Sequence, residues 1–362
     1  MRVAVCYNER PGSGSSTGSP AEGSSEEASE PPPLFSESYA EFDDRRTIEA
    51  VRNALARFHE VDLVEADESA YMRFLEARPD IVFNMAEGLR GPYREAFIPS
   101  ILEFLGIPYT GSGPLTLSIC LDKCLTKQIL SFHGVPTPEF RLAPSIGEVD
   151  EVVRGWGFYP CIVKPVHEGS SIGVWNDSVV EDPRQLSDRL RRAVSRYGQP
   201  AMVERLLPGR EFTVGILGNG REAKILPLVE ILFESLPEGA KPIYSYEAKW
   251  IWDTPLKPLD IFECPAQVDE ELSIEVERTA LTAYNALGCR DWARIDIRLD
   301  ERGVPNVLEV NPLPGILPDP RDNSCMPKAA RAAGMEYDDL ILTVLEIACR
   351  RYGMRTVELN AI

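Results

Sequence analysis

Asp296, Glu309 and Asn311 supply two carboxylates and a carboxamide, an all-oxygen set suited to Mg²⁺ and unsuited to zinc. Glu309 and Asn311 lie two apart on an apparent strand, 306–311, and so point the same way. A second strand, 293–299, joined through Asp300-Glu301-Arg302-Gly303, completes a hairpin. An antiparallel partner could bring Asp296 and Arg294 onto the same polar face, where an arginine can steady a transferring phosphoryl group. Leu308 and Val310 are expected on the opposite, buried face. On pattern alone, a solvated hairpin with its charges in water is the commoner reading.

Lys164 ends the apolar run Cys161-Ile162-Val163 and is followed by a Gly/Ser loop, Glu168-Gly169-Ser170-Ser171-Ile172-Gly173. Lysine charge, backbone N–H groups and hydroxyls together make a plausible phosphate cradle. The spacing matches neither a Walker A loop nor a GxGxxG fingerprint, and an ordinary turn is the more frequent meaning. Glu204 ends one apparent strand and Glu211 begins the next. Acids at strand ends can accept hydrogen bonds from ribose hydroxyls, although surface carboxylates are far commoner. Lys123 is unremarkable alone, and His167 reads as a loop residue rather than a ligand or base.

These groups need a frame. A strand at the N-terminus, a helix over 43–58 with Ile48, Val51, Leu55 and Phe58 on one face, a strand at 61–64, a helix ending near Arg78 and a strand at 80–84 follow in turn. That β-α-β-α-β rhythm predicts a doubly wound domain with a parallel sheet. Helices are expected over 97–105, 121–133 and 338–352, and strands at 161–165, 201–205 and 211–217. The segment 11–38, dominated by Ser, Gly, Pro and Glu, is expected to be a disordered loop or mobile lid.

The chain has 362 residues and a formal net charge of −19, which would repel a nucleic-acid backbone. No apolar run approaches the roughly 20 residues that cross a bilayer, and a cytoplasmic protein is expected. The eight cysteines form no CxxC pair, and Cys120 and Cys124, on one predicted helix, read as packing residues.

In order and together, these pieces resemble the ATP-grasp superfamily, and within it the D-alanine–D-alanine ligase family. The resemblance runs from Asp80 to about Gly334 and rests on 106–112, 121–123, 163–165, 168–173, 208–214, 246–249, 294–296 and 308–311. It implies an α/β and α+β ATP-grasp fold in three parts: an N-terminal domain over 1–120, a central ATP-binding domain over 121–212 and a C-terminal domain over 213–362. It further implies ATP as substrate and two Mg²⁺ ions, with Mn²⁺ an alternative, held by Asp296, Glu309 and Asn311. Lys123 and Lys164 correspond to phosphate-contacting lysines, and Glu204 and Glu211 to acids on the adenine and ribose side. Glu168 falls in the ATP-side loop, and the Ser171 amide closes over the phosphates. Lys249 corresponds to a mobile-loop lysine reaching the γ-phosphate, and Ser170 to a serine of the substrate-side network. Arg294 would stabilise the transferring phosphate and tetrahedral intermediate, and Gly315 and Ser324 would hold the second substrate's carboxylate. The implied chemistry is acyl-phosphate formation followed by attack of an amine, with a closed loop excluding water. Family members are commonly dimers.

Four departures concern amino-acid recognition. The glycine-rich turn after the first strand is replaced by Asn8-Glu9-Arg10 and the insertion, leaving Glu41 as the expected ammonium anchor. The usual His-Gly…Gly-Glu-Asp-Gly segment is replaced by residues 84–95, a tyrosine by Trp250, and the stretch from Gly315 to Ser324 is longer. The leading expectation is D-alanine–D-alanine ligation for peptidoglycan synthesis. A ligase of other amino acids or small carboxylates in a biosynthetic pathway is the alternative, and a catalytically silent nucleotide-binding protein the third reading.

Overall fold

The structure is a computed structural model that describes residues 1–12, 37, 39–253 and 258–355; the expected lid at 11–38 lies almost wholly outside them. Strands β1 (Arg2–Tyr7), β2 (Glu60–Glu65) and β3 (Ile81–Asn84) form a parallel sheet in the order β2-β1-β3. Helices α1 (Arg45–Ala56) and α2 (Ala70–Ala77) supply the crossovers, as the rhythm predicted. Asp44 caps α1 by accepting from the Thr47 amide at 2.7 Å. On one face of the sheet Ile48, Val51 and Leu55 of α1 meet Val3, Val5 and Phe83 in one core.

Beyond α3 (Phe97–Leu105), the predicted helix over 121–133 is α5 (Lys123–Phe132), and a separate helix that was not expected, α4 (Pro114–Leu121), precedes it. The break is at Asp122, whose backbone is extended and whose carboxylate caps α5 by accepting from the Leu125 amide at 2.8 Å. Lys123 therefore opens a helix, and its amide donates to the Val166 carbonyl. Cys120 and Cys124 lie on either side of the break, both buried.

A four-stranded antiparallel sheet follows, built from β4 (Phe140–Ala143), β5 (Cys161–Pro165), β6 (Val179–Val180) and β7 (Ala201–Arg205) in the order β4-β7-β5-β6. Helices α6 (Val149–Arg154) and α7 (Pro183–Tyr197) cover one face through Val149, Leu186 and Leu190. The last sheet runs β11-β10-β8-β12-β13, with β9 paired to β8. Its strands are β8 (Glu211–Leu217), β9 (Lys224–Ile225), β10 (Val229–Ile231), β11 (Phe262–Glu263), β12 (Trp292–Leu299) and β13 (Pro305–Asn311). Helix α8 (Glu270–Ala286) packs on it through Val276, Ala280 and Tyr284. Helices α9 (Cys325–Ala332) and α10 (Tyr337–Arg351) join its other face to the core of the first sheet.

One buried ionic clamp ties the parallel sheet's end to this last sheet. Asp291, fully buried, accepts from Arg351 at 2.7 Å and from the Gly111 amide at 2.8 Å, while Arg351 also donates to the Tyr109 carbonyl. No helix among the described residues is long and apolar enough to cross a membrane.

Candidate active site

In the β12–β13 hairpin Asp296 stands opposite Glu309, and Arg294 opposite Asn311. The expected face is therefore assembled by backbone register alone. A bulge follows Asp296, where Leu308 has no partner on β12. The expectation that Leu308 lies on the buried face is corrected: it is only half-buried and lines the same cavity as Glu309. The bulge is the reason, because one extra residue turns the strand and breaks strict alternation.

Arg294 grips Asp296 through two parallel bonds, 3.1 Å from Nε and 2.9 Å from Nη2. Thr213 on β8 donates to the same carboxylate at 2.9 Å, and Asn311 donates to it at 3.3 Å. Burial alone would depress the arginine, but Asp296 raises it above its usual range. Glu309 is held by Lys123 Nζ at 2.8 Å. Burial opposes its ionisation, yet Lys123 and Arg294 hold it below the usual carboxylate range.

Lys123 has a second bond, to the Glu168 carbonyl, and so ties the Gly/Ser loop to the hairpin. Lys164 lies 2.7 Å from Glu204, whose other oxygen is 2.6 Å from Lys127. Glu204 and Lys127 are only 1% exposed, so neither reaches solvent and the trio leaves one net positive charge on the cavity wall. Burial would raise Glu204, but the two lysines together hold it low; Lys164 in turn is raised, against burial, by Glu204. Glu211, opposite Arg298 in the β8–β12 register, accepts from it at 3.1 Å. Burial still pushes the Glu211 carboxyl up.

The loop after β5 takes an unusual path. Ser170 and Ser171 both have positive φ, 49° and 61°, a conformation costly for side-chain-bearing residues. Turns close from the Ile172 amide to Gly169 and from the Val174 amide to Ser171, whereas the Ser170 and Ser171 amides donate to no described acceptor. Such a pair of unspent N–H groups is what an anion cradle requires. Lys249, on a wide turn over Ala248–Trp252, reaches the Ser170 hydroxyl at 3.3 Å, and the Trp250 indole donates to the Ser170 carbonyl at 3.0 Å. Burial, then Arg294, depress Lys249 to about 8. The Ser171 hydroxyl donates to the Tyr244 carbonyl at 2.9 Å.

At the far wall, Glu41 does reach the cavity. Its oxygens are already engaged, one by Arg94 at 2.6 and 3.1 Å and the other by the Gly169 amide at 2.8 Å. Glu168, pushed up by burial, accepts from Gln199 at 2.6 Å and faces Arg94 at 3.4 Å. The Ser324 hydroxyl donates to the Gly315 carbonyl at 3.0 Å and accepts from the Leu317 amide at 3.2 Å, closing the long loop between them. All fifteen expected residues line one cavity of about 520 Å³.

Sequence reasoning missed Lys127, Arg298, Arg94, Glu87 and Glu95. The signal for Lys127 was its place four residues after Lys123 on one helix. Arg298 lies two residues beyond Asp296 on β12, on the face of the cavity.

The donor set fits a hard divalent cation. Glu309 has one oxygen with no described hydrogen-bond donor, as does the Asn311 amide. No group of three or more His, Cys, Asp or Glu among the described residues is placed to hold a metal ion, so a cation here would rest on the carboxylates of the hairpin, the Asn311 carboxamide and oxygens of the substrate.

Residues 129–346 match the family model "D-ala D-ala ligase C-terminus". The chain is 36% identical over 304 residues to the D-alanine–D-alanine ligase of Bordetella avium, covering 83% of this chain and 88% of that one. It is 37% identical over 302 residues to "Uncharacterized protein y4sG" of Sinorhizobium fredii, covering 81% and 84%. Among solved structures, the D-alanine–D-alanine ligase of Bacillus anthracis complexed with ATP superimposes with a TM-score of 0.67 at 26% identity, over 98% of this chain and 99% of that one. With an oxygen-only hairpin, paired lysines and an open amide cradle on one cavity, and with these matches over most of its length, the chain belongs to the D-alanine–D-alanine ligase family of ATP-grasp enzymes.

Proposed function

We propose that the chain joins D-alanine to D-alanine at the expense of ATP, activating the first carboxylate as an acyl phosphate, in the cytoplasmic supply of cell-wall precursor. The observation that carries this reading is Lys123, which binds Glu309 of the hairpin and the Glu168 carbonyl of the Gly/Ser loop at once. The groups read as phosphate-binding and those read as cation-binding are thereby tied to one lysine within a single cavity.

In this reading Lys123 and Lys164 bind nucleotide phosphates, and the Ser170 and Ser171 amides close over them. Glu309, Asn311 and Asp296 would hold Mg²⁺, which when bound neutralises phosphate charge. Asp296 gives its lone pairs to Arg294, Thr213 and Asn311, so joining a cation requires Arg294 to release it and turn toward substrate oxygen. Arg294 then stabilises the oxyanion formed as the amine attacks. Glu211 is placed for ribose hydroxyls, and Gly315 with Ser324 for the second carboxylate. Lys249 and Trp250 fold against Ser170 and keep water from the activated acyl group.

Phosphate release with ATP, Mg²⁺ and a panel of D- and L-amino acids, with chiral analysis of product, tests the reading. Turnover with D-alanine giving the D,D-dipeptide is expected, and activity confined to L-amino acids ends it. Ligation of other amino acids is the second reading, favoured by Trp250 and by the Arg94 clamp on Glu41, and the same panel decides between them.

A further inference from the structure

The cavity wall beside the parallel sheet carries more carboxylate than the described residues neutralise. Glu41 is satisfied by Arg94 and the Gly169 amide. Glu95 is not. It sits in the single turn Arg94–Ala96, is 9% exposed, lines the cavity, and makes no hydrogen bond or ion pair with any described residue. Glu87 lines the same wall, likewise without a described partner. The nearby cations are committed: Arg94 to Glu41, Glu168 and the His167 carbonyl, Lys123 to Glu309 and the Glu168 carbonyl.

Burial, then the charge of Glu41, push Glu95 up to about 8, and burial followed by Glu95 raises Glu87 well above its ordinary value. A buried carboxylate with no partner is among the costlier arrangements a fold can keep, and it is tolerated where a ligand supplies the missing charge. The turn that carries Glu95 packs on α4 (Pro114–Leu121), which ends two residues before Lys123, and the charges of Glu41, Arg94, Lys123 and Glu309 all bear on its carboxyl.

We propose that Glu95, backed by Glu87, receives the ammonium group of the amino acid whose carboxylate is activated, while Glu41 serves to hold the wall in place through Arg94. The inference rests on the ligase reading and names its ammonium site. An α-amino acid seated on Glu95 presents its carboxylate toward Lys123 and the hairpin. Acids lacking the amine, such as propionate, leave Glu95 buried and unpaired and are rejected as acyl donors.

The test is the isosteric variant Glu95→Gln in the full chain. Half-saturation by D-alanine should rise by at least about 30-fold, the loss of one charged hydrogen bond, while half-saturation by ATP stays within about threefold. The melting temperature without substrate should stay level or rise, because the amide replaces a buried carboxyl group that no described residue satisfies. A structural role moves melting and affinity down together; the ammonium role moves them apart. A D-alanine effect below about tenfold, or a lowered melting temperature, overturns the proposal. Glu87→Gln should show the same signs with a smaller shift, and normal D-alanine affinity in both variants overturns it equally. Wild-type turnover reads the ligase assignment separately. If wild type is inert with every amino acid, calorimetric titration of D-alanine and of L-alanine into the ADP–Mg²⁺ enzyme reads the site directly. Binding lost in Glu95→Gln supports it, and equal or absent binding refutes it.

Discussion

Lys164→Met probes the lysine–glutamate–lysine arrangement in the central sheet. Two lysines share one carboxylate that is 1% exposed, so the wall carries one surplus positive charge, and Lys164 is the member that lines the cavity. Removing it leaves Lys127 and Glu204 as a neutral buried pair at 2.6 Å. The fold should keep its stability without nucleotide, because no charge is stranded. Nucleotide affinity should fall by one charge-assisted bond to phosphate, roughly 1.5–3 kcal/mol, or about 10- to 150-fold. Equilibrium displacement of a fluorescent nucleotide measures the affinity, and thermal melting of the apo chain measures the stability. Unchanged ATP affinity, or an apo chain destabilised by more than about 2 kcal/mol, would show that Lys164 merely neutralises Glu204.

Four further outcomes are expected. Lys127→Met strands no charge either, but it leaves Lys164 neutralised by the whole of Glu204, so ATP affinity should fall although Lys127 is 1% exposed; unchanged affinity refutes the shared-charge account. Lys249, depressed to about 8 by burial and Arg294, loses its proton as pH rises through that value, so ATP half-saturation should worsen above about pH 8, and Lys249→Arg should remove the dependence. Its folded value lies below its unfolded one, so this group should make the fold more stable between about pH 8 and pH 10.5, which melting across that window checks. Gly169→Ala puts a methyl group onto the Glu41 carboxylate that Arg94 holds in place, and should cost about 1–3 kcal/mol by chemical denaturation together with the loop's activity.

Much of the site was legible because strand chemistry is local. The two-residue alternation of Glu309 and Asn311, and a four-residue turn, were enough to show that an antiparallel partner could bring Asp296 and Arg294 onto their face, and the register sets Asp296 opposite Glu309. The bulge at Leu308 was not legible, since nothing in an apolar residue announces that its partner strand skips it. Nor was helix α4 (Pro114–Leu121) legible: its apolar residues lie all round it, so no one-sided pattern announces a helix ahead of the Asp122 cap. Glu41 was expected as the acid standing in for the one the family carries after its first strand, but its seal by Arg94 joins residues 53 positions apart, a pairing without local trace. Glu87 and Glu95 stand in the stretch 84–95, which the sequence marks as a departure at amino-acid recognition without singling out either residue. Their place on the cavity wall, with Glu95 buried and Glu87 half-buried, sets them apart rather than composition.

The central claim is that ATP is cleaved in step with amide formation at the hairpin bearing Arg294, Asp296 and Glu309. It is tested most directly by counting ADP and D-alanyl-D-alanine formed from ATP, Mg²⁺ and D-alanine by the wild-type chain and by Glu309→Gln. One ADP per dipeptide in the wild type, and turnover lower by roughly 10³-fold in the variant, is the expected result. No dipeptide-coupled ADP, or a variant within about tenfold of wild type, would contradict it.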